Sequence, residues 1–182
     1  MPLSQPTERE ELHRRSMTFA GYRRADGLWD IEGHLVDTKT YAFHNDHRGE
    51  IRPGVPLHDM RIRLTIDDKF LIHDAEAVTD HGPFEVCPAI TPNFKKMIGV
   101  TIAGGWRREI RNRLGGTEGC THLVELLTAM ATVAFQTLYP TLAKRSKDKP
   151  VTEKPRLIDS CHAFRSDGDI VKASWPDFYS GE

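Results

Sequence analysis

Cysteine is scarce in this chain: Cys87, Cys120 and Cys161 are an odd number with no framework spacing. A disulfide-stapled secreted domain is thereby excluded, and reduced thiols in a cytoplasmic protein are expected. Residues 1–15 (MPLSQPTEREELHRR) are polar throughout and carry no apolar signal segment. No apolar run approaches the ~20 residues of a membrane span, so no membrane partner is expected. Charge of one sign is lacking too: the formal net charge is −1. Nucleic acid needs a basic surplus and is not the expected partner. Arg107, Arg108, Arg111 and Arg113, and again Lys144, Arg145, Lys147 and Lys149, read as solvated helix faces. The usual signatures are missing as well. Without CxxC or HExxH there is no structural zinc motif. Without GxSxG, a P-loop or GxGxxG, the common hydrolase, NTPase and dinucleotide readings fall away. No metal and no cofactor are expected.

What is present suits a globular protein. A chain of 182 residues buries about 70% of the surface its unfolded form exposes, and one α+β domain over residues 1–182 is expected. Residues 1–15 form a polar lead-in, with a short helix from Thr7 to Arg14. Ser16 to Tyr22 suits a strand, and Asp26-Gly27 turns it into Leu28–Thr38, whose strict alternation puts Trp29, Ile31 and Gly33 on one face. Residues 44–58 read as a loop. A second hairpin runs from Met60 to Ile66 and from Phe70 to Val78, with Ile62, Leu64 and Ile66 on its buried face. A short helix marked by Pro88 and Pro92 ends at Gly99. Glycine pairs bracket a second helix, Trp106 to Leu114, and a third runs from about Cys120 to Ala143. Leu123, Leu126, Leu127, Met130, Ala134, Phe135 and Leu138 form its core stripe. Residues 144–156 are a charged link to a C-terminal hairpin, Leu157–Phe164 with Ile170–Trp175. The fold class is an antiparallel sheet of hairpins with helices packed on one face.

Reactive residue types gather in three places. Gly119-Cys120-Thr121-His122 opens the long helix, where unpaired amides favour a thiolate or a bound anion. His122 and Glu125 are three apart, hence neighbours on one helix face. The same glycines and threonines equally serve as helix stops and caps around a buried cysteine. His58-Asp59 sets an imidazole beside a carboxylate at a strand start, a pairing that makes a general base or an ordinary loop turn. Asp30, Glu32, His34 and Asp37 read as one polar strand face, either a site wall or a solvated surface.

Two resemblances add to these readings. Asp26–His34 (DGLWDIEGH), Gly105–Glu109 (GWRRE) and Gly115–Leu123 (GGTEGCTHL) resemble a bacterial family catalogued only as a domain of unknown function. Its members occur in bacteria that degrade aromatic compounds, which implies lignin-derived phenolics and lyase chemistry such as formaldehyde release. Pro53 to Val78 is similar in layout to the NifU-like iron–sulfur scaffold. That likeness implies a NifU/SufE-like core, with His58 in place of the first scaffold cysteine, and Cys87 and Cys120 near the second and third. It also implies that His58, Asp59, Cys87, Cys120 and His122 converge on one pocket.

The expected function is a cofactor-independent carbon–carbon lyase of aromatic catabolism. A small phenolic molecule is its partner, and a homodimer is the expected assembly. His58 oriented by Asp59 is the expected base, with His122 and Arg107 or Arg108 as partners of the phenolate. Trp29 or Trp106 would supply an aromatic wall, and His34, Cys120 and Glu125 would complete the pocket. A metal- or iron–sulfur-binding accessory protein and a non-catalytic aromatic-ligand-binding module are the alternatives.

Overall fold

Alternation of apolar and polar residues builds the sheet, and it does so over longer strands than the turn signals suggest. A computed structural model describes residues 3–146 and 152–181. Four antiparallel strands stand in the order β1 (His13–Arg23), β2 (Trp29–Lys39), β5 (His58–Ile66) and β6 (Ile72–His81). Two short strands, β3 (Phe43–Asn45) and β4 (Gly49–Ile51), pair as a separate hairpin between β2 and β5. The register sets Ile31 opposite Leu64 and Leu35 opposite Met60, so one face of the central pair is apolar up to its Asp37–His58 end. Its opposite face carries ion pairs instead: Arg63 Nε donates to Glu32 at 2.7 Å and Arg63 Nη1 to Glu76 at 3.1 Å. Such exposed pairs contribute about 0–1 kcal/mol each.

The apolar face is covered by helices. α1 (Trp106–Leu114) and α2 (Thr121–Ser146) follow a 3-10 segment, Cys87–Met97. Leu123, Leu126, Leu127, Met130, Ala134 and Leu138 of α2 join Ile31, Leu35, Ile62 and Leu64 in one buried cluster, with Phe94, Met97, Trp106 and Ile110. Burying each of the large side chains stabilises the fold by about 1.5–3 kcal/mol. Trp106 Nε1 donates to the Leu127 carbonyl at 3.1 Å, which ties α1 to α2 through the core. α2 continues through Pro140. By length and composition, Thr121–Lys144 is apolar enough to cross a membrane, which departs from the expectation of no such run. Its apolar stripe is the one buried in this core.

The chain divides into two compact units, residues 1–142 and 143–182. The second unit corrects the expected C-terminal hairpin. It holds a 3-10 turn at His162–Phe164, α3 (Asp169–Ser174) and another 3-10 turn at Pro176–Phe178. Gly168 stands as the N-cap of α3, and Asp169 lies in its first turn, where an acidic side chain favours helix. Asp159 folds the preceding segment tightly: its N–H donates to Phe164, and its carboxylate accepts from Ser166 N–H at 2.9 Å. Those bonds replace a ladder. The helix expected over Thr7 to Arg14 is also absent, because β1 begins at His13. Lys147 and Lys149, with part of the charged link, lie outside the described residues.

Gly21 of β1 lies under α2, where a Cβ would come within 1.9 Å of Thr137 Oγ1 and 2.7 Å of its Cβ. Gly21→Ala is therefore expected to destabilise the fold by about 1–3 kcal/mol through overpacking. Thr137→Ala in the same chain recovers part of that loss. Urea unfolding of the two variants checks both.

Candidate functional site

Strand register makes the site. Arg15 of β1 is the cross-strand partner of Asp37 in β2, and Asp37 is the partner of His58 in β5. The three form one row at the end of the sheet where β1 begins, β2 ends and β5 begins. Asp37 shares parity with Trp29, Ile31, Gly33 and Leu35, so its carboxylate points into the covered side. It is 1% exposed.

A carboxylate buried that deeply requires donors, and it has four. Arg15 binds it in a fork, Nε to Oδ1 and Nη2 to Oδ2, each at 2.8 Å. His13 Nε2 donates to Oδ1 at 3.0 Å, and His58 Nδ1 donates to Oδ2 at 2.9 Å. Burial pushes the Asp37 carboxyl up, but the Arg15 guanidinium and the two imidazoles outweigh it and hold it at about 2. Asp37 is thus an anion at neutral pH. Its bond fixes the His58 tautomer with hydrogen on Nδ1, leaving Nε2 as the acceptor.

The start of α2 lies against this row. Gly119 permits the approach: a Cβ there would stand 2.3 Å from the Leu114 carbonyl, so only glycine lets α2 begin this close to the end of α1. The His122 ring then stacks on His58, with centroids 3.8 Å apart and planes 33° apart. Its Nε2 is 4.0 Å from Asp37 Oδ2, and its Nδ1 is 3.8 Å from Cys120 Sγ. One turn further along α2, Glu125 accepts from Arg15 Nη1. Burial and the neighbouring His122 push His58 below its usual value, overcoming the opposite pull of Asp37. Burial pushes the Cys120 thiol up, but His122 and the backbone N–H groups of Leu123 and His122 bring it below its ordinary value. Asp37, His58 and His122 each offer one ligand-capable atom, and the three atoms lie within 4.8 Å of one another.

Of the residues expected from sequence, His58, His122, Cys120 and Glu125 come together here. Asp59 does not. Neighbours on a strand point to opposite faces, and Asp59 pairs with His34 at 2.7 Å on the outer side of the sheet. The His58 ring is therefore oriented by Asp37 and not by Asp59. Arg107 and Arg108 are exposed on α1 and, among the described contacts, reach none of these side chains. Trp29 is buried at the other end of β2, eight residues and roughly 26 Å from Asp37. Trp106 is a core residue. Arg15 and His13 do not stand out in the sequence, and Asp37, expected on one polar face with Asp30, Glu32 and His34, lies on the opposite, buried face. Parity was the available signal: counting in twos from Trp29 lands on Asp37, an acid at the end of an apolar face.

The convergent group among the described residues holds no Cys87, so the scaffold-like set of His58, Cys87 and Cys120 is not assembled as a ligand set. The chain belongs to the family described as a protein of unknown function (DUF2889), which it matches over residues 13–136. That span starts at His13 and takes in every side chain of the row and of the α2 start. No curated protein matches the chain, and no solved structure matches it either, so the NifU-like likeness is not supported.

The charge states give a stability prediction with a definite sign. Asp37 titrates lower in the folded chain than unfolded (about 3.9), so it contributes about 2 kcal/mol above pH 4 that is lost as pH falls through 2. His58 is also depressed, so its contribution is present above about 6.5 and lost as pH falls through its folded value. Urea unfolding should show stability declining in two stages on acidification. Asp37→Asn should lower stability at pH 7 by about 2–3 kcal/mol and diminish the stage below pH 4, to which Asp67 also contributes.

Proposed function

We propose that the Asp37–His58 pair is a general base and that the protein is a cofactor-independent lyase releasing formaldehyde from the hydroxymethyl side chain of a phenolic substrate. The observation that carries this is the buried bond from His58 Nδ1 to Asp37, which leaves a neutral Nε2 beside a partly exposed His122. A neutral imidazole held in one tautomer is the equipment proton abstraction needs near pH 7.

The chemistry balances without an external reagent. Departure of the benzylic oxygen with the phenol proton, as water or an alcohol, leaves a quinone methide attached to the saturated carbon that bears –CH2OH. His58 Nε2 takes the hydroxyl proton, and the O–H electrons become the carbonyl bond of formaldehyde. The carbon–carbon bond breaks, and its electron pair forms an alkene and restores the aromatic phenolate. His122 donates to that phenolate in place of the exposed Arg107 and Arg108. Arg15 and Glu125 hold Asp37 in place as positioning residues.

Apolar side chains near this end of the sheet suit an aromatic substrate. Residues 40–57 join the end of β2 to the start of β5, and β6 ends at His81 beside Asp59. Tyr41 and Val55 on the first connection, and Phe84 and Val86 after β6, are exposed. His47 meets Phe84 edge-on at 5.2 Å, joining the two segments. Reduced Cys87, Cys120 and Cys161 are consistent with a cytoplasmic setting.

Incubation with a panel of hydroxymethyl-bearing phenolic dimers, with formaldehyde measured by trapping, tests the reading. Turnover should fall by about 10²–10⁴ in His58→Asn and by a comparable factor in Asp37→Asn, while Asp59→Asn stays within about twofold. Because the base must be neutral, kcat/KM should fall as pH drops, with its midpoint below the ordinary histidine value of about 6.5. No formaldehyde from any member of the panel, with folded protein, overturns the proposal.

A further inference from the structure

We infer that Asp37, His58 and His122 also form a binding site for a divalent transition-metal ion of the zinc class, and that the ion switches the proton-transfer pair off. Binding stands on the geometry alone; the switching rests on the proposed function. Two imidazoles and one carboxylate are a donor set that zinc takes, with a fourth position left for water. Magnesium and calcium prefer more oxygen. Zinc–nitrogen and zinc–oxygen distances of about 2.0–2.2 Å place neighbouring ligand atoms roughly 3–3.5 Å apart. His58 Nδ1 is already 2.9 Å from Asp37 Oδ2, and His122 Nε2 is 4.0 Å from it. Closing the set requires His122 to draw inward from separations that all lie within 4.8 Å, and its side chain is 23% exposed and therefore open to an entering ion.

The obstacle is Arg15, whose fork already fills Asp37. The structure supplies a way round it. Arg15 Nη1 also donates to Glu125, so the guanidinium keeps a carboxylate partner when it gives up Asp37 Oδ2. His13 Nε2 retains Oδ1, which leaves Oδ2 for the ion. The ion then takes the place of the hydrogen between His58 Nδ1 and Asp37 Oδ2. The ring keeps one hydrogen, now on Nε2, so the net proton count of His58 is unchanged. An Nε2 that carries hydrogen cannot accept the substrate's proton. Metal and catalysis therefore compete for one tautomer.

The test uses the full chain with Zn2+ and Co2+ alone as probes, in buffer free of thiols and chelators. Wild type should bind one Zn2+ by calorimetry, and one Co2+ with the visible bands of a low-coordinate site, while Mg2+ gives no heat. His58→Asn and His122→Asn, each shown folded by circular dichroism, should weaken Zn2+ at least tenfold and abolish the Co2+ bands. Glu125→Gln should weaken Zn2+ severalfold, because Arg15 then has one carboxylate partner in place of two. Failure of folded wild type to bind Zn2+, or tight binding that persists in both histidine variants, overturns the site. Undiminished formaldehyde release from zinc-saturated protein overturns the switch while leaving the site standing. Absence of formaldehyde release from metal-free protein counts against the lyase reading, and the binding result is read independently of it.

Discussion

One buried carboxylate organises this end of the molecule. Asp37 sits at the last buried position of β2, where the apolar core gives way to solvent. An unpaired charge there costs several kcal/mol, and the surrounding sequence meets that cost with four donors from three residues on the adjoining strands. Arg15 and His13 come from β1, and His58 comes from β5. The donors hold both neighbouring strands in register with β2 as well as satisfying the charge. The same bonds leave one imidazole nitrogen free, with its tautomer set. Stability and the proposed proton transfer share one set of contacts.

The sheet keeps two kinds of polar chemistry apart. On the outer face Arg63 pairs with Glu32 and Glu76 in the open, where water screens each contact, and His34 pairs with a half-buried Asp59. On the inner face Asp37 and His58 are buried, with His122 of the first turn of α2 stacked on His58 and Arg15 at the exposed edge of the row. Identical residue types thus acquire different properties from one position of difference in the chain. His34 and His58 each meet an aspartate, but the His58 partner is buried and charged in a site with restricted water. The glycines before α2 matter for the same reason, because they let His122 and Cys120 approach that row.

Much of the fold was legible because its signals are local. The glycine pairs that bracket Trp106–Leu114 mark both ends of α1 correctly, and the leucine and methionine spacing of α2 gives its buried stripe. Alternation located the four main strands. Legibility failed where a decision depended on partners remote in sequence. Asp37 was grouped with Asp30, Glu32 and His34 by composition, although it is an odd number of residues away from each and faces inward. Asp59 was paired with His58 because they are adjacent, yet strand geometry turns them apart. Arg15 carries no local mark of function at all; only the β1–β2 register brings it to Asp37. In the second unit, a polar tetrapeptide with an Asp-Gly step reads as a hairpin turn, but Gly168 instead caps a six-residue helix. Short segments carry little apolar periodicity to decide between the two.

The protonation state of His58 is the point on which the account depends most directly. Long-range 1H–15N correlation spectra of the histidine rings, followed across pH, read it without any substrate or metal. His58 should be neutral at pH 7 with hydrogen on Nδ1 and should titrate below the ordinary histidine value; Asp37→Asn should release the tautomer and move the titration further down, while Asp59→Asn changes neither. A His58 ring with hydrogen on Nε2, or one that is already protonated at pH 7, would contradict it.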